Sequence, residues 1–351
     1  MIESTMKPRD LVCIGRSGVD LYPCSYGTLE TVREFTRHVG GSPANTAVQA
    51  AKLGLDTAFL GKISQDGFGL FVRQDLERMG VDVSHLTVVD CPEIRQSLAV
   101  MAQPVQGEIE SLFYRTMPAD LCLTMEDINE EFLASFRMML ISGASLSQSP
   151  AREAVFHAMV LAKHHGVMIV FDPDYRQIGW KSLEECQLYQ WLAIQQADVV
   201  CATKEEFAIA TACSGADSLD AAVAILLNGG AKMVCVKDGA NGSNLYLQDG
   251  TIVHGNPMPT QLLKPLGAGD SFLGAFLAGF RRGLQPQETL RYAASAASIT
   301  ISGRSCSDSM PTATELDSYL MAWKEDRLDQ WFAQRRTRRS ETQTLRKGAD
   351  Q

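Results

Sequence analysis

Residues 265–272 read Pro-Leu-Gly-Ala-Gly-Asp-Ser-Phe, and an apolar helical pattern follows at Phe272, Ala275, Phe276, Ala278 and Gly279. Glycine lets a backbone turn tightly and come close to a ligand. A helix that opens there offers unpaired N–H groups and the positive end of its dipole, which together attract an anion. Gly267, Ala268 and Gly269 therefore form a candidate anion site, with the Asp270 carboxylate directly beside it. A carboxylate in that position suits proton chemistry next to a phosphate. The competing reading is an ordinary helix N-cap, a position Asp favours.

Five further segments carry residue types that could do chemistry. Gly40-Gly41-Ser42-Pro43-Ala44-Asn45 offers two glycines for close approach to a ligand, Ser42 as a helix cap and Pro43 for the first turn. Asn45 then brings an amide that both donates and accepts. Gly15-Arg16-Ser17-Gly18-Val19-Asp20 puts a guanidinium suited to an anion and a carboxylate suited to sugar hydroxyls in one loop. Phe171-Asp172-Pro173-Asp174-Tyr175-Arg176 adds two carboxylates and another guanidinium. In Thr203-Lys204-Glu205-Glu206, Glu206 falls on a first helical turn. There it could order Mg²⁺ through water, or simply match the helix dipole. Lys237-Asp238-Gly239-Ala240-Asn241-Gly242 reads as a tight turn at the edge of a nucleotide. Each segment taken singly is also a common turn or junction, and each arginine a common surface ion pair.

The elements that must position these residues follow a regular alternation. Apolar, β-branched runs at 11–15, 58–61, 138–142, 167–172, 199–202 and 233–236 predict strands. Helical patterns at 43–53, 68–79, 151–165, 183–196, 204–212 and 220–227 lie between them. Such βαβα order predicts an α/β fold with a doubly wound, mostly parallel sheet covered on both faces. Its ligands would sit beyond the carboxyl ends of the strands, where the candidate segments recur. Residues 21–39 and 93–115 break the alternation with strand-like spacing, and they predict a small antiparallel β lid over that edge. Helices are expected at 286–303 and 312–323. The stretch 324–351, with Arg335, Arg336, Arg338, Arg339, Arg346 and Lys347, reads as a solvated helix that frays.

The chain has 351 residues, 45% of them hydrophobic, and a net charge of -9. A full core is affordable, and nucleic acid is a poor partner for so acidic a surface. Nine scattered cysteines, odd in number and without a C-x-x-C pair, argue against a disulfide framework and point to the reducing cytoplasm. No apolar run reaches membrane-spanning length, so no membrane partner is expected.

Gly40-Gly41-x-x-x-Asn45, followed near the other end of the chain by Gly267-Ala268-Gly269-Asp270, resembles the paired pattern of the ribokinase-like (PfkB) carbohydrate kinases. The resemblance extends over about residues 9–320 and implies a kinase domain over 9–323, Rossmann-like with a β lid. It implies transfer of the ATP γ-phosphoryl group to a sugar hydroxyl. Asp270 would take the proton, and Gly267, Ala268 and Gly269 would stabilise the charge that develops. By the same resemblance Asp20, Gly41 and Asn45 would hold the sugar, Glu206 would organise Mg²⁺, and Lys237, Gly239 and Gly242 would border ATP. Arg115 and Arg176 match where relatives acting on keto-deoxy sugar acids hold the carboxylate. With Arg16 they make three guanidinium groups at one sheet edge, which favours an acidic substrate; the resemblance implies that this is foremost 5-dehydro-2-deoxy-D-gluconate, phosphorylated at its terminal hydroxyl. 2-Keto-3-deoxygluconate, fructose or ribose are the alternative substrates, and a non-catalytic sugar- or nucleotide-binding regulator the alternative class. A homodimer paired through the lid is expected from the same resemblance.

Two departures stand out. Lys264-Pro265 occupies the place of an Asp-Thr pair that commonly belongs to a potassium-binding loop. A lysine ammonium can take the cation's electrostatic place, so activity without K⁺ is expected. Thr203 replaces the Asn of the usual Asn-x-x-Glu metal motif, while Glu206 remains.

Overall fold

A computed structural model describes residues 7–213 and 216–349. Thirteen strands form among these residues. They are β1 (Arg9–Ile14), β2 (Gly18–Pro23), β3 (Phe35–Gly40), β4 (Thr57–Ile63), β5 (Leu86–Val88), β6 (Ser97–Ala102) and β7 (Glu110–Tyr114), then β8 (Phe136–Ser142), β9 (Met168–Asp172), β10 (Val199–Thr203), β11 (Met233–Lys237), β12 (Ser243–Leu247) and β13 (Ile252–Gly255). Nine of them build the main sheet in the order β13-β12-β11-β10-β9-β8-β1-β4-β5. Every pairing from β11 to β5 is parallel, and only β11–β12 and β12–β13 are antiparallel. From β1 the chain winds first towards β5 and then, from β8, towards β13. The order reverses between β1 and β8, and there a crevice opens outside the carboxyl ends of the strands.

The strand sequences explain the layering. Leu11 and Cys13 of β1 point into one core, Val12 and Ile14 into the other, because successive strand side chains face opposite sides. Helices Ser42–Lys52, Ala268–Arg281 and Pro286–Ile301 cover the first face. Helices Ala151–His164, Leu183–Ile194, Lys204–Thr211 and Ala216–Asn228 cover the second. Burying each Phe or Leu in these layers stabilises the fold by roughly 2 kcal/mol. Register then levels the carboxyl ends: Ser142 lies beside Asp172, and Thr203 beside Lys237.

The second sheet, β3-β2-β6-β7, is the lid. It starts at Gly18, ahead of the expected residue 21, and its two antiparallel hairpin pairs are joined by a parallel pairing of β2 with β6. Tyr22, Ala99 and Met101 on its inner face pack on Cys306, with Leu266 alongside, just ahead of the Gly267 turn. The end of the chain departs from the solvated helix expected of it. A helix runs over Leu328–Ala349, and Trp331, Phe332 and Arg335 in its first turns are buried. Trp331 and Phe332 pack on Tyr319, and Arg335 donates to Ile299 O, Ser302 Oγ and Ser309 O. The side chains of Arg339, Arg346 and Lys347 lie outside the described residues. No helix among the described residues is long and apolar enough to cross a membrane.

Candidate active site

Gly267 has φ 84, a left-handed conformation that glycine adopts without penalty. A Cβ there would stand 2.8 Å from Cys306 Sγ. Helix Ala268–Arg281 begins at the next residue, which makes Gly267 the N-cap and Asp270 the third helical residue. Asp270 is thus no cap. Its Oδ1 accepts from Ser42 Oγ (2.9 Å) and its Oδ2 from Asn45 Nδ2 (2.8 Å). Ser42 and Asn45 lie in the first turn of the facing helix, whose N-cap is Gly41, not Ser42. The two helices meet closely because Gly274 carries no side chain: a Cβ would come within 2.7 Å of Gln49 Cβ. Ser271 Oγ donates to Gln49 Oε1 (2.8 Å) in the same buried seam. Burial, and after it the charge of Asp174, push the Asp270 carboxyl above its ordinary range, while the bonds from Asn45 and Ser42 pull it back. A raised carboxyl is a better proton acceptor near neutral pH.

Ser42 Oγ also lies 2.8 Å from Asp172 Oδ2 at the end of β9. A hydroxyl has one proton to donate, so two carboxylates at hydrogen-bond distance require a second proton. Asp172 is pushed towards its protonated form. Burial raises it well above the carboxylate range, Glu206, Asp174 and Asp270 add to the rise, and Lys237 opposes them. Ser42 Oγ thus bridges the two carboxylates.

A cavity of about 270 Å³ opens between this seam and the lid, lined by Arg16, Asp20, Gly41, Asn45, Arg176, Gly267 and Asp270 among others. Gly40 and Gly41 serve this cavity differently from the expected approach to a ligand. The Asp20 carboxylate occupies the space where a Gly40 side chain would be, and a Gly41 Cβ would lie 2.5 Å from Arg16 O. Burial pushes Asp20 up to about 6; Arg16 lowers it, Asp270 raises it, and Lys264 and His38 lower it. Asn45 Oδ1 is buried and has no hydrogen-bond partner among the described residues. It is free to accept from a hydroxyl.

The three arginines separate. Arg115 Nη2 donates to Asp120 Oδ2 (2.8 Å) and Nη1 to Ser97 Oγ (2.9 Å); it lines a small neighbouring cleft with Arg16 and Asp20, not the cavity at Asp270. Arg176 pairs with Asp174 (2.9 Å). Arg16 lines both spaces.

Lys237 closes β11 on the far side of the Gly-Ala-Gly turn. Its Nζ is 3.4 Å from where a Gly269 Cβ would be, so the ammonium stands over the anion turn. Burial opposes its charge, but Cys201, Asp172 and Glu206 around it outweigh burial and hold its pKa above the ordinary lysine value. Beyond it, Gly239 (φ 52) borders open space, as a ligand-facing turn should. Gly242 (φ 89) packs against Gly255 O, so the sheet itself demands a glycine there. Glu206 forms a capping box: its Oε2 accepts from Thr203 N (3.0 Å), and Thr203 Oγ1 accepts from Glu206 N (3.1 Å). The dipole-matched reading of Glu206 is therefore realised, with Oε1 outside the box. Lys264 is 1% exposed; its Nζ donates to Leu266 O (2.5 Å) and lies 3.8 Å from Cys306 Sγ.

The sequence marks Asp172 as a carboxylate without a specific role and Ser42 as a cap; the structure joins them at 2.8 Å. Tyr22 and Cys306, joined at 2.9 Å beside the cavity, were not among the expected site residues.

The fold and the Gly-Ala-Gly-Asp seam define a phosphotransferase class. Residues 8–313 match the family described as pfkB family carbohydrate kinase. The chain belongs to that family and is an ATP-dependent sugar kinase. Proteins named 5-dehydro-2-deoxygluconokinase from Bacillus licheniformis and Lacticaseibacillus casei are each 38% identical to it. They align over 90% and 89% of this chain and 97% and 95% of their own lengths. Among solved structures, the fructokinase of Xylella fastidiosa with bound ATP is 25% identical, with a TM-score of 0.79, over 89% of this chain and 98% of that one. A ribokinase II of Escherichia coli with ATP and Mg²⁺ shares the fold at 23% identity (TM-score 0.80, 89% of this chain and 99% of that one).

Proposed function

We propose that the protein transfers the γ-phosphoryl group of ATP to the terminal hydroxyl of 5-dehydro-2-deoxy-D-gluconate. The observation that carries this is one cavity holding both Asp270, at an open helix N-terminus, and guanidinium groups suited to a carboxylate. The relatives that align over nine-tenths of the chain bear that activity in their names.

In this reading Asp270 accepts the hydroxyl proton as the oxygen attacks phosphorus and the bond to ADP breaks. The N–H groups of Gly267, Ala268 and Gly269 meet the charge on the transferred group, with Lys237 above them. Asp20, Gly41 and Asn45 hold the sugar hydroxyls, and the cluster of Arg16, Arg115 and Arg176 attracts the acid end. ATP lies along the Gly239–Gly242 turn. Glu206, through its uncommitted oxygen and water, would help hold Mg²⁺, and the ion would supply neutralisation of the phosphate charge. The free Glu206 oxygen fits that ion as a hard carboxylate donor outside the capping box. The Lys264 ammonium serves in place of a potassium ion. The chain pairs with a second copy through the lid and works in the cytoplasm.

Coupled ADP release across a panel of sugar acids and neutral sugars tests the reading. Turnover with 5-dehydro-2-deoxy-D-gluconate at least ~100-fold more efficient than with fructose or ribose is expected. Preference for 2-keto-3-deoxygluconate would move the substrate within the class, and ATP binding without any turnover would favour a regulator.

A further inference from the structure

We propose that, within the guanidinium cluster, Arg16 alone makes the contact with the substrate carboxylate, while Arg115 and Arg176 are charge-balanced braces. The inference rests on the sugar-acid reading above and assigns the acid end of that substrate to one residue.

The three guanidinium groups differ in their partners. Arg115 is bound to Asp120 through both terminal nitrogens (2.8 and 3.4 Å), and the two side chains are only 8% and 1% exposed. Ser97 Oγ, on β6, donates to Asp120 (3.1 Å) and accepts from Arg115 (2.9 Å). Both terminal nitrogens are thus used, and the pair ties the segment just after β7 to the turn at Asp120. Arg176 is neutralised by Asp174, whose other oxygen accepts from Ser142 Oγ (3.2 Å).

Arg16 differs. It forms no hydrogen bond or ion pair among the described residues, although it lines both the Asp270 cavity and the cleft under the lid. Asp20 shares both spaces with it but does not pair with it within ion-pair distance. Burial works against the Arg16 charge, and the nearby Arg115 and Arg176 add to the cost that Asp174 and Asp120 relieve. A largely buried cation without a bonded counter-ion is expensive, and a carboxylate arriving with the ligand removes that cost. A planar guanidinium can take a carboxylate through two parallel bonds, which a neutral sugar cannot offer. Backbone placement keeps Arg16 fixed for this: it follows β1 at the point where strand order reverses, and Gly41 leaves room for its carbonyl.

Steady-state kinetics with two substrates tests the assignment: the sugar acid, and its analogue in which the C1 carboxylate is a hydroxymethyl group. Arg16→Ala is expected to lower kcat/KM for the acid at least ~100-fold, mainly through KM, and to change the neutral analogue less than ~3-fold. Arg16→Lys should recover part of the loss. The KM for ATP should not move in either variant. Arg115→Ala should lower the melting temperature and affect acid and analogue alike. An equal loss for both substrates in Arg16→Ala overturns the assignment, as does an acid-selective loss in Arg115→Ala or Arg176→Ala instead. A variant that folds poorly is read by sugar-acid binding in calorimetry without ATP: Arg16→Lys that binds the acid as tightly as the wild type, with no selectivity lost in Arg16→Ala, also overturns it. Wild-type enzyme that uses the neutral analogue as well as the acid contradicts the sugar-acid reading itself, a result distinct from the others.

Discussion

At the scale of single residues, the chemistry turns on one carboxylate held by two donors from a facing helix. Asp270→Asn should fold, bind ATP and lose at least ~100-fold in kcat, the usual weight of a general base. Titrating ATP into the variant and measuring its turnover checks both halves. The sign of the pH dependence follows from the raised carboxyls. Asp270 must be ionised to accept a proton, and burial moves its titration above the ordinary range. Asp20, pushed up to about 6, must be ionised to accept from sugar hydroxyls. Hence kcat/KM for the sugar should fall as pH drops through about 6, higher than unperturbed carboxylates would allow. For stability the sign is opposite. Asp20 favours the fold when protonated, an advantage complete below its unfolded value and lost as pH rises through about 6. Asp20→Asn should therefore raise the melting temperature at pH 8 while weakening sugar binding. Lys264 supports a further expectation: replacing K⁺ with tetramethylammonium should leave turnover within about 2-fold of its value in K⁺, since the ammonium already fills the loop beside Leu266. The residues legible in the sequence were those whose roles sit in one short segment, such as Gly267 to Asp270. The Ser42 bridge to Asp172 was not, because it joins positions 130 residues apart and no local pattern marks it.

At the scale of elements, two helix N-termini must meet at a fixed distance for Asn45 and Asp270 to bond. Gly274 sets that distance one turn beyond Asp270. Gly274→Val would drive side-chain atoms into Gln49 and Thr46 O, so the helices must separate. We expect a fall of several degrees in melting temperature and a loss in kcat larger than the change in the KM for ATP, both measurable on the purified variant. Strands and helices of the alternating region were readable from their apolar patterns and their lengths. Three-residue β5 and the antiparallel strands β12 and β13 at the other end of the sheet were not, since such short strands carry little periodicity. The parallel pairing of β2 with β6 is a non-local choice that strand patterns do not encode. A charged composition likewise concealed the docking of the last helix, where Trp331, Phe332 and Arg335 form its buried stripe within an otherwise polar sequence.

At the scale of the whole molecule, the reversal of strand order between β1 and β8 creates the crevice, and the lid lines the cavity at Asp270. Alternating strands and helices made this architecture legible, because buried parallel strands read as continuous apolar runs. The lid's outer strand β7 leaves Leu112 and Tyr114 exposed on one face, 45% and 59% respectively. Pairing with a second copy would cover them. Light scattering should give twice the chain mass for the wild type and a monomer for Leu112→Asp; a monomeric wild type would remove the lid dimer. The function proposed above is phosphoryl transfer to the terminal hydroxyl of a sugar acid with Asp270 as base. Its most direct test is ¹³C and ³¹P NMR of the product formed from ATP and 5-dehydro-2-deoxy-D-gluconate, by wild type and by Asp270→Asn. A single product with phosphorus coupled to C6, formed by the wild type and absent from the variant, is the expected result. Phosphate on another carbon, free phosphate alone, or the same product at the same rate from the variant would contradict it.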